Sequence, residues 1–224
     1  MAKFYHQPFL QFILISVLSF TSVPGYSYEQ GDFLVRVRAI NVNPDDSSGG
    51  VRPALLTTRV GVDDDTVPEI DFTYMFHKNW GLELILATSE HNVSGTAGAL
   101  NNVSIANAYV LPPTLTLQYH FLPDSTIRPY AGVGINYSLF YSEDATSAFE
   151  AIAGKTDVQI DPSVGFAGQV GVDIAINKGW FVNLDVKYID MSTEITLRTA
   201  GLGTQKVNVD IDPFIFGIGV GRRF

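Results

Sequence analysis

Residues 70–87 read Ile70-Asp71-Phe72-Thr73-Tyr74-Met75-Phe76-His77-Lys78-Asn79-Trp80-Gly81-Leu82-Glu83-Leu84-Ile85-Leu86-Ala87. Large apolar side chains fall on Ile70, Phe72, Tyr74 and Phe76, and again on Leu82, Leu84 and Leu86. Asp71, Thr73, Met75 and His77 alternate with the first set, and Gly81, Glu83, Ile85 and Ala87 with the second. A period of two sends neighbouring side chains to opposite faces of a strand. His77-Lys78-Asn79-Trp80 interrupts it as a turn, so the stretch is a β-hairpin. With Lys78-Asn79-Trp80 as a three-residue turn, Phe76 faces Leu82, Tyr74 faces Leu84 and Phe72 faces Leu86. All the apolar residues then share one face.

The same alternation runs through Phe33–Ala39, Leu115–Phe121, Ala131–Leu139, Val164–Ile176, Trp180–Tyr188 and Phe214–Val220. With the two strands of the hairpin this predicts eight strands. Short connections at 77–80, 122–126 and 177–179 alternate with long ones at about 41–69, 88–113, 142–160 and 191–206. Short and long connections therefore sit at opposite ends of one antiparallel meander. Around Asn177-Lys178-Gly179, Ile174 faces Val182 and Val172 faces Leu184, with Gly179 placed for a left-handed turn position.

Composition bounds what such a sheet is for. The 224 residues are 46% hydrophobic and 17% charged, which excludes a disordered chain. A formal net charge of −9 and a pI near 4.7 argue against a nucleic-acid partner. There is no cysteine, hence no disulfide framework or thiolate metal site. Mean hydropathy is +0.15, yet beyond the N-terminus no run of about 20 apolar residues occurs. Residues 1–27 read as a secretory signal peptide: Lys3, then the apolar stretch Phe9–Phe20, then Gly25-Tyr26-Ser27 as a cleavage site. Cleavage after Ser27 leaves residues 28–224 as a single barrel domain, and the loss of Lys3 with no acid takes the net charge to −10.

An alternating sheet must bury its apolar face against something. In a soluble barrel the outer face is rich in Lys, Glu and Asp. Here the polar face is small and sparsely charged, carrying Arg36, Arg38, Asp71, Glu83, Asp173, Asp185 and Lys187 among Gly, Ser, Thr, Asn and Gln. That suits the narrow interior of an eight-stranded barrel, with the apolar face turned to lipid. Closure satisfies every backbone group, as lipid demands. Trp80, Tyr119, Phe121, Trp180 and Phe224 fall near the short-turn end as an aromatic girdle. The expected fold is thus all-β: an eight-stranded antiparallel transmembrane barrel in the outer membrane of a Gram-negative cell, among lipid and lipopolysaccharide. A terminal strand ending in Phe224 is also what the barrel-assembly machinery would engage.

Three stretches carry a family likeness. They are Leu111-Pro112-Pro113-Thr114, Arg128-Pro129-Tyr130-Ala131-Gly132-Val133-Gly134-Ile135-Asn136-Tyr137, and the ending from Asp212-Pro213 to Arg223-Phe224. Together they resemble the outer membrane protein W (OmpW) family over essentially the whole mature chain. Arg222 departs from the pattern, occupying an outward position that such barrels give to an apolar residue; at the rim it can snorkel to the headgroups. The resemblance implies periplasmic termini and a narrow, partly hydrophobic conduit for small apolar molecules.

Candidate site residues follow from the inward positions. Leu34, Met75, Ile85, Phe140, Phe181, Ile189 and Ile215 project into the lumen or its mouth. They are either the walls of a pocket for a small hydrophobic ligand or a plug for a narrow barrel; the resemblance favours the pocket. The inward charges are expected to pair, with Arg38 and Asp71 at similar heights and Arg36 and Glu83 beside them, in room left by Gly217 and Gly219. Unpaired, they would be costly. The acidic loop 41–69 holds six acids against Arg52 and Arg59 and lacks the ligand spacing of a calcium loop. Within it Ala54-Leu55-Leu56 is expected to form a short helix or flap at the extracellular mouth. Gly132-x-Gly134 and Gly217-x-Gly219-x-Gly221 lie inside strands, so dinucleotide binding lacks its helix. His91 with Ser89, Glu90 and Ser94 is a local stretch with no partner to make it catalytic. No enzyme activity, cofactor or metal is expected. The rival to a conduit is a closed barrel whose outer loops act as adhesin or receptor.

Overall fold

The computed structural model describes residues 27–177 and 179–224. The expected signal peptide, apart from Ser27, and Lys178 of the third short turn lie outside the described residues. In chain order the first strands are β1 (Phe33–Asn43), β2 (Ser47–Ser48), β3 (Arg59–Val62), β4 (Asp65–His77), β5 (Trp80–Ala87), β6 (Ser89–Ala97), β7 (Ser104–Leu111) and β8 (Thr114–His120). Then come β9 (Ile127–Ala145), the helix α1 (Ser147–Ala153), β10 (Thr156–Ile160), β11 (Ser163–Asn177), β12 (Trp180–Ile189), β13 (Ser192–Thr199), β14 (Gly203–Asp210) and β15 (Phe214–Arg223).

Eight of these close a barrel in the order β11-β12-β15-β1-β4-β5-β8-β9, with β9 pairing back onto β11. All the pairings are antiparallel, which makes the up-and-down meander. The 11 residues of β1 rise about 3.3 Å each, so a tilt near 40° gives a height of roughly 28 Å, enough for an apolar band of about 25 Å.

The barrel is inverted relative to a soluble one. Val133, Val164 and Phe166 are 70%, 74% and 74% exposed on the outer wall, whereas Arg36, Asp71, Glu83 and Asp173 are fully buried inside. Only lipid makes that arrangement favourable, since lipid takes the apolar face and every barrel strand is paired on both sides. At the short-turn end Trp80 packs edge-on against Tyr119 at 4.9 Å, and Tyr119 against Phe121 at 5.1 Å. Arg222 lies over the rings of Trp180 and Phe224 at 5.3 and 5.0 Å, so the departing residue is accommodated by the girdle itself.

The registers around the third short turn are as expected, with Val172 opposite Leu184, Ile174 opposite Val182 and Gly179 at φ 85°. The first hairpin differs. Tyr74 faces Leu82, Phe72 faces Leu84 and Ile70 faces Leu86, because His77 pairs with Trp80 across a two-residue turn and the register shifts between Met75 and His77. Asn79 fixes this turn, its Nδ2 donating to the His120 carbonyl at 2.7 Å. The displacement is two residues, an even number, so every side chain keeps its expected face.

The long connections are themselves folded. β9 continues beyond the barrel to pair with β7, followed by β6 and β3, while β10, β13, β14 and β2 form a separate four-stranded sheet. These elements enclose an apolar core that includes Val60, Val93, Ile105, Phe149, Ile195, Leu197 and Val209. The stretch Ala54-Leu55-Leu56 is not helical: Leu55 bridges back to Val51 and packs against that core, while Leu56 stays exposed. Ala54 is held by a hydrogen bond from its amide to Gln205 Oε1 at 2.9 Å.

Candidate functional site

The lumen is built in three tiers, each set by strand register. The middle tier is a closed ion network. Arg36 and Arg38 of β1 stand beside Asp71 and Glu69 of β4, their direct register partners; Arg36, and not Arg38, is thus level with Asp71. Arg36 reaches Asp71 at 2.9 Å, Glu83 at 3.4 Å and Asp173 at 2.8 Å. Arg38 reaches Glu69 at 2.7 Å, Asp71 at 2.6 Å and Asp185 at 2.9 Å. Lys187 closes the set on Glu69 and Asp185 at 2.9 and 2.7 Å. Neutral groups fill the gaps: Thr116 and Gln169 donate to Glu83, and Asn183 donates to Asp173. Burial of this many charges is tolerable only because each has an opposite partner, with Glu83 and Asp173 accepting further hydrogen bonds from neutral groups.

The network leaves no space for side chains from the closing strand. A Cβ on Gly217 would meet the Asp185 carboxylate, and one on Gly219 would meet the Val37 carbonyl and Arg38. Glycine at these inward positions of β15 lets the arginines lie across the barrel axis.

The lower tier lies toward the short turns. Here Leu34, Met75 and Phe181 cluster with Tyr28. Tyr28 enters the barrel from below: its amide donates to the Pro123 carbonyl at 3.0 Å and its hydroxyl to Asp173 at 2.8 Å. Arg128 sits over its ring at 4.3 Å, and His120 and Phe181 meet it edge-on. Three of the seven expected lining residues therefore close the short-turn end of the lumen and are not in the wall of the upper cavity. They lie on the far side of the ion network because they occupy the turn-proximal ends of their strands.

The upper tier is a cavity. Ile85, Phe140, Ile189 and Ile215 line it, joined by Ile40 and Val42 of β1 and by Met191, Ile195, Val209 and Ile211 from the outer elements. Its cavity volume is about 60 Å³, within roughly 920 Å³ of unfilled space that includes the part open to solvent. Glu69 and Lys187 form its floor and belong equally to the ion network. His91 and Ser89 are in its wall, bonded to each other at 2.9 Å. The His91–Ser89 bond and the Asp63 carbonyl, 2.8 Å from Nδ1, engage both ring nitrogens, which leaves the imidazole a structural role.

Two groups escaped the sequence reading. Glu69 continues the inward series 69, 71, 73 and 75, but lies one residue ahead of the apolar alternation that marked the strand. Tyr28 has no periodic neighbour to announce it. Among the described residues no group of three or more His, Asp or Glu side chains is arranged to hold a metal.

The wall beside the cavity has a seam. The β5–β8 ladder ends with Ile85 opposite Thr114, and the β6–β7 ladder resumes with Ser89 opposite Val110. The register is continuous across the gap, which puts Ala87 opposite Pro112, yet residues 86–88 and 111–113 pair with nothing across it. Pro112 and Pro113 have no N–H to give. Ala87 and Pro112 both line the cavity.

Comparison with known proteins gives a consistent picture. The OmpW family profile matches residues 29–224. Outer membrane protein W of Vibrio cholerae serotype O1 is 34% identical over 214 residues, covering 94% of this chain and 97% of that protein. The dibenzothiophene metabolism operon protein PahQ of Pseudomonas aeruginosa is 30% identical over 165 residues, 72% of each chain. The crystal structure of the outer membrane protein OprG from Pseudomonas aeruginosa matches with a TM-score of 0.84 at 34% identity, covering 90% of this chain and 99% of that one.

Proposed function

This chain belongs to the OmpW family and is an outer-membrane β-barrel, and on that premise we propose that it passes small hydrophobic molecules through the outer membrane without an energy source. The observation that carries this is the upper cavity: a largely enclosed apolar chamber between the barrel and its outer sheets, where a barrel built only for stability would be filled. The relative named for dibenzothiophene metabolism adds an apolar compound class to the same reading.

The buried ion network closes the straight path to the periplasm. An apolar solute leaving the cavity would have to part the ion pairs among eight buried charged groups to pass, which no small molecule repays. The seam between Ala87 and Pro112 is the easier way out, because parting it breaks no ladder hydrogen bond. A solute leaving there reaches the hydrocarbon of the membrane, where it is already soluble. The cavity thus acts as a bypass around the polar outer leaflet surface. For the folding route, the proposal is that the terminal strand ending in Phe224 is what the barrel-assembly machinery engages.

Flux of an apolar fluorescent probe into proteoliposomes tests the conduit. Phe140→Asp and Ile189→Asp place a carboxylate in the cavity and are expected to reduce flux to the protein-free level, whereas Met75→Asp, below the network, tests the lumen floor and not the route. Unchanged flux through Phe140→Asp, with the barrel folded, would return the case to a closed barrel with receptor loops.

A further inference from the structure

We infer that the cavity is shaped for an apolar molecule bearing one neutral hydroxyl group and that its floor rejects carboxylates, an inference that rests on the cavity being the binding site proposed above. Most polar groups in the wall are already satisfied within the protein. The Thr193 hydroxyl donates to the Asp161 carbonyl at 2.5 Å. The Thr114 hydroxyl donates to the Pro112 carbonyl at 3.0 Å and accepts from Asn136 at 2.9 Å. His91 and Ser89 satisfy one another, as described. What remains is the floor.

Lys187 Nζ has three donors and uses two, toward Glu69 Oε1 at 2.9 Å and Asp185 Oδ2 at 2.7 Å. On Glu69, the Lys187 hydrogen bond and the 2.7 Å approach of Arg38 both fall on Oε1. A hydroxyl arriving at this floor can accept from Lys187 and donate to Glu69 at once. A hydrocarbon offers the pair nothing. A carboxylate accepts from Lys187 but donates to nothing, and it meets an unfavourable field. At and beneath the floor Arg36, Arg38 and Lys187, with Arg128 farther down, face Glu69, Asp71, Glu83, Asp173 and Asp185, four cations against five carboxylates. In an enclosed site that surplus is poorly screened.

The protein in phospholipid nanodiscs, carrying 4-fluorophenylalanine, is titrated at pH 8 with 1-decanol, decane and decanoate. The fluorine resonance of Phe140, assigned through Phe140→Leu, reports occupancy of the cavity. Decanol is expected to saturate the shift at a concentration about tenfold or more below decanoate, as one uncompensated charge in a site of intermediate dielectric implies. Decane should bind more weakly than decanol. Glu69→Gln removes one of the five carboxylates and is expected to narrow the decanol–decanoate gap. Equal binding of decanol and decanoate by the parent protein overturns the inference and leaves the apolar conduit standing, as does a gap that Glu69→Gln does not change. No saturable shift with any of the three overturns the cavity as a binding site, and the inference with it.

Discussion

Replacing Arg38 with methionine probes whether the middle tier is held together as charges. Arg38 lies within 2.9 Å of Glu69, Asp71 and Asp185, and within 3.6 Å of Glu83. Without it, the two cations left in the network face five carboxylates: Asp71 and Glu83 retain only Arg36, and Asp185 retains only Lys187. Methionine fills much of the volume, so the loss is electrostatic and not a cavity. Removing one partner of a buried ion pair typically costs about 3–5 kcal/mol, most of it from the charges left unpaired. With a urea slope of about 2 kcal/mol/M, the unfolding midpoint in phospholipid vesicles should fall by about 2 M. Fluorescence of Trp80 and Trp180 at the girdle reports the transition. The control is Lys206→Met, which breaks a 2.5 Å pair with Glu194 whose partners are 54% and 33% exposed; its cost should stay below about 1 kcal/mol. Adding Asp185→Asn to Arg38→Met should recover part of the loss, because it removes one of the stranded carboxylates. If Arg38→Met moves the midpoint no more than Lys206→Met does, the network is not a set of compensated buried charges and the reasoning fails.

Gly217→Ala should destabilise by about 1–3 kcal/mol in the same unfolding assay, since its Cβ has no room beside Asp185. Tyr28→Phe keeps the ring beneath the barrel but removes the 2.8 Å donor to Asp173, and should cost about 1–3 kcal/mol. Arg38→Ala, which empties the centre of the network, is expected to give ion-conductance steps in planar bilayers where the parent protein gives none. The chain has no cysteine, so Ala87→Cys with Pro112→Cys supplies a single disulfide across the wall seam. Oxidation should stop probe flux and reduction should restore it, while flux unaffected by the cross-link would rule out exit through the seam.

How much of this was legible follows from what alternation encodes. A period of two assigns faces, and that assignment survives any even register error. Hence Arg36, Asp71, Glu83 and Asp173 turn inward as expected even though the first hairpin pairs two residues away from its expected register. Height along the barrel is encoded only by pairing, and there the expectations slipped. Leu34, Met75 and Phe181 share an inward face with Ile85 and Ile189, but a few residues of displacement along the strands put an ion network between the two groups. The outer elements were illegible for a different reason. Beyond the membrane a strand needs one apolar face toward a small core and no continuous lipid face, so β6, β7, β13 and β14 carry polar runs such as Ser89-Glu90-His91-Asn92 that read as loop. Their apolar partners, Val93 with Ile105 or Ile195 with Val207, become a core only when sheets from distant parts of the chain meet. The cavity belongs to this class of feature. Its floor is set by barrel register and its roof by those assembled sheets, so no single stretch of sequence contains it. Its ligand preference is a property of the junction, where Glu69 and Lys187 close the charged tier below and open the apolar one above.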